Sequence, residues 1–367
     1  MYPFELVKID EYKVRTLAQQ NSVLRYKTFE IKKKNGGVRH IHAPKSELKV
    51  LLKCINLIFH CIYTPHDSAY GFVDGRSVVD NARLHCRNNY VFNLDLKDFF
   101  PSIEIGRILK RFNFPPFNLN KENGRQEIGN YIAWLCCENM MVERELMGET
   151  KKVFKRVLPQ GSPVSPILTN IICERLDYKL SAVAKKFGIK YTRYADDITF
   201  SSMHNVYHKE GDFRKEVERI IKEQYFVINQ SKVRLQKTNV RQEVTGITVN
   251  SETNVPRRYV KQIRMWLYYW ENYGDSKALS LFLQSYMKDK SHIKKAVPTL
   301  GFMTAVIGGK LNYLSMVKSE GNSTYLKLKD RFEIIAEKQI KISGISENTN
   351  DEKLKKFVSS SFNYDFL

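Results

Sequence analysis

The stretch Tyr191-Thr-Arg-Tyr-Ala-Asp-Asp-Ile-Thr-Phe-Ser-Ser202 constrains this chain more than any other. Ile189, Tyr191, Thr192 and Tyr194 precede two adjacent aspartates, Asp196 and Asp197, and Ile198, Thr199 and Phe200 follow. β-Branched and aromatic runs around a polar pair predict a hairpin. Its turn carries two carboxylates side by side, which repel unless a cation holds them. A hard divalent ion such as Mg²⁺ prefers carboxylate oxygens and leaves positions for water and substrate phosphates. An Asp-Asp turn is also ordinary structure, because Asp suits turn geometry. The metal reading therefore needs support from elsewhere in the chain.

Charge supplies some of it. Lys and Arg number 60 against 39 Asp and Glu, a net +21 over 367 residues. That excess points to a polyanion, nucleic acid first and an anionic membrane surface second. The basic residues are interleaved with 20 Tyr and 21 Phe, which suits backbone contact combined with stacking on bases or sugars. The hydrophobic fraction of 43% is enough for a sizeable core, and the length allows two or three packed units. The start, Met1-Tyr-Pro-Phe-Glu-Leu, lacks the charged region and apolar run of a signal peptide. The longest apolar stretch, residues 50–63, is broken by Lys53 and His60 and falls short of the roughly 18 residues a membrane helix needs. A cytoplasmic protein with no membrane partner is expected. Cys54, Cys61, Cys86, Cys136, Cys137 and Cys173 form no CxxC pair and no ligand spacing, so they read as buried thiols in a reducing cytosol.

Taken in order, residues 1–30 read as mixed and helical. Asn35-Gly36-Gly37 between alternating runs from Phe29 to Pro44 predicts a hairpin bearing Lys32, Lys33, Lys34, Arg39, His40 and His42. Ser46–Tyr63 has helical apolar spacing with Ser46 as N-cap. A glycine-bounded loop, residues 69–77, leads into a helix over 78–85. Val91–Leu96 reads as a buried strand with the lone charge Asp95 near its end, and Asp98, Phe99 and Phe100 follow. A carboxylate so placed is rarely buried without a partner or a metal. Residues 126–141 read as helical, followed by a basic turn at Lys151 and Lys152. Leu158-Pro-Gln-Gly-Ser-Pro-Val-Ser-Pro166 is a stiff loop, with Ser165 as N-cap of a helix that ends at Gly188. A helix through Phe213–Ile221 precedes strands at 226–229 and 243–250. From about residue 255 the chain is helical and basic, with Tyr259, Trp266, Tyr268, Tyr269 and Trp270 among the charges. Residues 346–367 form a polar tail.

Asp95 on its strand, the Pro/Gly loop and the Asp196/Asp197 hairpin occur in the order found in the palm of reverse transcriptases, which the chain resembles over about residues 30–250. Tyr194-Ala-Asp-Asp197 matches the family's Tyr-x-Asp-Asp element, and Leu158-Pro-Gln-Gly-Ser-Pro163 its second hallmark. Asn81-Ala-Arg-Leu-His85 resembles the Asn-Ala-x-x-His signature of bacterial retron reverse transcriptases, and Val244-Thr245-Gly246 their Val-Thr-Gly signature.

The resemblance implies an α/β (α+β) right-hand polymerase. Residues 1–90 would form the N-terminal region and fingers, and 91–250 a palm of antiparallel sheet and helices with a fingers insert near 103–157. A basic helical thumb at 251–345 and the tail follow. It implies two Mg²⁺ ions, with Mn²⁺ as a substitute, held by Asp95, Asp196 and Asp197. By the same resemblance Lys232 protonates the leaving group and Phe100 excludes a ribose 2′-OH. Asp98 and Phe99 lie along the triphosphate, Gln160 and Gly161 shape the nucleotide pocket, and Arg39 (with Lys33 and Lys34 as competitors) meets the phosphates. Implied partners are dNTPs, a cognate structured non-coding RNA, its branched RNA-linked DNA product and an effector protein in anti-phage defence. Two alternatives remain: a different bacterial reverse transcriptase, from a group II intron or another defence system, and a low-activity RNA-binding scaffold. A membrane-surface protein lacks an amphipathic or lipidated segment to support it.

Overall fold

The computed structural model describes residues 11–19, 25–32, 37–146, 149–289 and 299–342. Lys33, Lys34, Asn35, Gly36 and the whole tail assigned to 346–367 lie outside the described residues. The chain divides into two compact units, residues 1–240 and 241–367.

In the first unit, helix α1 (Glu11–Gln19) is followed by strands β1 (Tyr26–Lys32) and β2 (Val38–Pro44). These pair antiparallel from Tyr26–Pro44 to Lys32–Val38, so strand begins earlier than the helical reading of residues 1–30 allowed. Helix α2 (Ser46–Ile62) buries Leu48, Leu51, Leu52, Ile55 and Phe59. Ser46 is its first helical residue; Lys45 occupies the N-cap without a side-chain bond. Helix α3 (Val78–Arg83) has a capping box that the sequence reading missed: Ser77 Oγ accepts from the Asp80 amide, and the Asp80 carboxylate accepts from that of Ser77.

Strand β3 (Tyr90–Asp95) precedes helices α4 (Ile105–Phe112) and α5 (Gln126–Cys136). The expected helix over 126–141 stops at Cys136. Residues 138–157 are instead a long hairpin of β4 (Glu138–Leu146) and β5 (Glu149–Val157). Arg25 accounts for the break. Its buried guanidinium donates to the carbonyls of Trp134 and Cys137 at 3.0 and 2.7 Å and to Ala18 at the end of α1 at 3.1 Å. A cation at two helix C-termini satisfies carbonyls that would otherwise be orphaned.

Helix α6 (Ser165–Lys186) buries Leu168, Leu176, Leu180 and Val183 and ends before Gly188, whose φ of 62° suits a helix exit. Val164, not Ser165, is its N-cap, and Ser165 Oγ donates to the Pro159 carbonyl. Strands β6 (Lys190–Tyr194) and β7 (Asp197–Ser202) form the expected hairpin, and helix α7 (Asp212–Glu223) follows. Phe226–Asn229 is not a strand; it contributes one bridge, Leu96–Ile228, before a 3₁₀ turn at Gln230–Lys232 and strand β8 (Arg234–Lys237).

The sheet order is β6-β7-β3-β8, antiparallel at every pairing. Alternation gives it two faces. Phe92 and Phe200, paired in register, pack on Phe213 of α7. The opposite face is polar yet buried: Gln236 donates to Asn93 at 2.7 Å, and Asn93 to Thr199 at 3.2 Å. Of the thiols, Cys136, Cys137 and Cys173 are buried as expected, Cys54 and Cys86 are half-buried, and Cys61 is exposed.

In the second unit, the strand expected over 243–250 is a tight hairpin of β9 (Glu243–Val244) and β10 (Ile247–Thr248). Thr245 and Gly246 make its turn with φ of 48° and 86°, the double positive φ of a type I′ turn. Helix α8 (Arg257–Asp289) is broken at Gly274; α9 (Leu300–Lys318) and α10 (Ser323–Ile342) follow. Trp266 and Trp270 belong to this unit's core and are not open to stacking, whereas Tyr268 and Tyr273 are exposed beside each other. Among the described residues no helix is long and apolar enough to cross a membrane.

Candidate active site

Backbone register assembles the site. In the β3–β7 pairing Asp95 stands opposite Asp197, and the Leu96 amide donates to the Asp196 carbonyl at 3.0 Å. Three carboxyl residues from two sequence regions therefore meet at one end of the sheet. The turn between β6 and β7 needs Ala195 at φ 56°, a conformation a small side chain tolerates better than a bulky one.

Asp95 is 5% exposed. Its Oδ2 accepts from Lys232 Nζ at 2.6 Å and its Oδ1 from Asn229 Nδ2 at 3.1 Å. Asn229 also donates its backbone amide to the Asp95 carbonyl, so the 3₁₀ turn is bonded to the strand end twice. Partial burial works against charge on Lys232, but the hydrogen bond and charge of Asp95 hold its ammonium above the ordinary lysine range. Loss of water and the Asp95 charge push Asp196 up. Asp197 is exposed, yet the surrounding protein, then Asp196 and Asp95, push its carboxyl up to about 7.

Arg39 on β2 is near enough that its charge lowers the pKa of Asp196. Gln160 and Gly161 meet the same strand: the His42 amide donates to the Gln160 carbonyl at 2.8 Å. Gly161, at φ 116°, lies where a Cβ would come within 2.7 Å of Ile41 Cγ2. Asp98 adopts φ 47° just past the strand. Phe100 is half-buried with its ring 6.2 Å from that of Phe72, while Phe99 turns into the core against Phe226.

Asn81 and His85 are buried. His85 places Nδ1 2.7 Å from Ser201 Oγ and Nε2 2.7 Å from Thr192 Oγ1, which ties the two strands of the aspartate hairpin together. Burial pulls its pKa down to about 3, so the ring is neutral, one nitrogen donating and the other accepting. Val244, Thr245 and Gly246 belong to the second unit. Sequence reading missed Asn229, Arg193, Asp177, Asn170 and Gly71, all of which support the site. The signal for Asn229 and Lys232 was their closeness in sequence; a buried Arg–Asp pair leaves no such mark.

The family model described as reverse transcriptase (RNA-dependent DNA polymerase) matches residues 31–249. This chain belongs to the reverse transcriptase family. It is 35% identical over 260 residues to the retron Mx65 reverse transcriptase of Myxococcus xanthus, covering 67% of this chain and 56% of that protein. It is 34% identical over 257 residues to the retron Mx162 reverse transcriptase of the same organism, covering 65% and 51%. With the retron Ec86 reverse transcriptase of Escherichia coli the identity is 32% over 247 residues, covering 65% and 68%. The chain thus spans about half the length of the two Myxococcus relatives. It is a retron-type reverse transcriptase.

Reverse transcriptases generally use divalent metal ions. Among the described residues no group of three His, Cys, Asp or Glu side chains is drawn together tightly enough to ligate one. The donor chemistry of this reverse transcriptase nevertheless fits a hard cation. Three carboxyl residues share one end of the sheet, two of them pushed toward protonation partly by their neighbours' charge, and Lys232 supplies the positive charge at Asp95.

Proposed function

We propose that this chain is the RNA-directed DNA polymerase of a retron. It copies part of a cognate structured RNA into branched, RNA-linked DNA, and serves in anti-phage defence with an effector protein. The observation that carries the polymerase reading is the β3–β7 register, which sets Asp95 against Asp197 beside Asp196. That its relatives are retron reverse transcriptases supports the retron assignment.

Asp95, Asp196 and Asp197 would hold two Mg²⁺ ions. When bound, such ions lower the pKa of an attacking hydroxyl and neutralise charge on the triphosphate. The chain's own residues do the remaining work. Lys232, held charged beside Asp95, would give a proton to the departing pyrophosphate. Phe100 walls the sugar side and rejects a 2′-OH by steric exclusion. Gly161 lets strand β2 lie close against the nucleotide side, and Arg39 offers its guanidinium to phosphate oxygens. Residues 1–90 and 103–157 act as fingers, the four-stranded sheet as palm, and the helices after residue 257 as thumb. On α8, exposed Arg257, Lys261 and Arg264 run in helical spacing toward Tyr268, a surface suited to phosphates and bases.

The test is labelled-dNTP incorporation by protein co-expressed with its upstream RNA, with Mg²⁺ or with EDTA. Metal-dependent DNA joined to RNA is expected. The Asp196→Asn/Asp197→Asn protein should lose at least about a thousandfold, since carboxylate-held metals supply several kcal/mol of transition-state stabilisation. DNA made only on an added primer-template would keep the polymerase and discard self-priming. No incorporation with RNA binding intact would favour the scaffold.

A further inference from the structure

Arg193, two residues before Ala195, is completely buried. Its Nε and Nη2 donate to the two carboxylate oxygens of Asp177 on α6 at 2.8 and 2.6 Å. Nη2 also reaches Asn170 Oδ1 at 3.1 Å, and Nη1 donates to the Ala195 carbonyl at 3.2 Å, inside the turn that carries the aspartates. Burial opposes its charge, but the Asp177 carboxylate more than restores it. Tyr191 Oη donates to the same carboxylate at 2.7 Å.

The network continues into the segment Ser68–Phe72. The Arg193 amide donates to the Ser68 carbonyl and the Tyr70 amide to that of Arg193, both at 2.8 Å. Asn170 Nδ2 donates to the Gly71 carbonyl at 3.0 Å. Arg76 closes the segment from outside by donating to the carbonyls of His66, Asp67 and Ala69. Gly71 lies flat on the aspartate turn: a Cβ there would come within 2.5 Å of the Ala195 nitrogen and 3.0 Å of the Tyr194 carbonyl carbon. The next residue, Phe72, holds φ 61° and sets its ring beside that of Phe100. A bulky side chain keeps a left-handed backbone only where its surroundings over-determine it.

We propose that Ser68–Phe72 and Arg193 form a strut that fixes the aspartate turn relative to Phe100, and that Arg193 and Gly71 are positioning residues for polymerisation. The proposal rests on the polymerase reading above. One short segment touches the metal-binding side through Gly71 and the sugar side through Phe72, so it sets the spacing between them. The buried network is what keeps the segment from yielding, because each bonded polar group would be left unsatisfied if it moved.

Two variants test this. Arg193→Lys keeps a charge opposite Asp177 but loses the fork that reaches Asn170 and Ala195 at once. Gly71→Ala drives a methyl into turn backbone. Gly129→Ala, whose Cβ would sit 3.1 Å from Leu119 Cβ, is a crowding control outside the network. Amide hydrogen exchange over residues 189–200 and steady-state incorporation on an RNA template with a DNA primer are measured together, alongside folded fraction and RNA affinity. With folding and RNA affinity retained, exchange at the turn should quicken by about tenfold in Arg193→Lys. The kcat of both variants should fall by up to about a hundredfold, with a smaller change in the KM for dNTP, as misplacement of about 1 Å costs. Unchanged turn exchange overturns the strut, and so does activity lost only in step with folded protein, as for Gly129→Ala. A wild-type protein that incorporates nothing counts against the polymerase reading, and the exchange comparison still decides the strut.

Discussion

At the scale of single residues, the site is a balance of charges. Asp95 is satisfied by Lys232 and Asn229, whereas the surrounding protein and the charges of Asp196 and Asp95 push the Asp197 carboxyl up to about 7. An aspartate whose folded pKa lies above its unfolded 3.8 binds more protons folded than unfolded between those values. Stability of the metal-free protein should therefore fall as pH rises from about 4 to about 7. A divalent cation held at the proposed site would offset the cost of ionising Asp197. Mg²⁺ should accordingly raise Tm more at pH 8 than at pH 5.5, by thermal unfolding of EDTA-treated protein. Equal increments at the two pH values would remove Asp197 from the cation site.

At the scale of elements, what brings the site together is how loops lie against strands. Gly161 is the plainest case, because its positive φ and the 2.7 Å approach to Ile41 both exclude a side chain. Gly161→Ala should destabilise the first unit by roughly 1–3 kcal/mol, the usual cost of forcing atoms into a packed place. It should also raise the KM for dNTP, since β2 carries Arg39. A denaturant titration and initial rates on a primed template check both effects, and an unaltered KM would detach β2 from the nucleotide. The hairpins read over 29–44 and around Asp196 and Asp197 were legible because alternation with a turn between is a strong local signal, although the first begins at Tyr26, inside the stretch read as helical. The hairpin at 138–157 was not. Met140, Met141 and Val142 continue the apolar run of α5, and the chain changes from helix to strand at carbonyls capped by Arg25, more than a hundred residues away.

At the scale of the whole molecule, the net charge of +21 bears on the proposed encounter with RNA. Affinity for structured RNA should fall by on the order of a thousandfold between about 50 and about 200 mM salt, the loss expected when several phosphates release counterions. Filter binding or anisotropy across salt measures the slope; a flat response would make stacking on residues such as Tyr268 and Tyr273 the dominant contact. The second unit tempers the stacking reading, because Trp266 and Trp270 are core and only part of its aromatic content is on the surface.

The sequence by itself determined the family, and the strands and turn that carry Asp95, Asp196 and Asp197. Those features live in short runs whose residue types have few other uses: an Asp-Asp turn between β-formers, a lone Asp at a buried strand end, a Pro/Gly loop opening a helix. Only the tertiary structure decided that Asn229 and Lys232 hold Asp95, that His85 pins the hairpin strands from inside, and that Arg193 joins the aspartate turn to Asp177, Asn170 and Gly71. Arginine and asparagine are ordinarily surface residues, and histidine is buried only part of the time. Whether one is buried depends on distant partners arriving to satisfy every polar atom, which no local pattern of residues records.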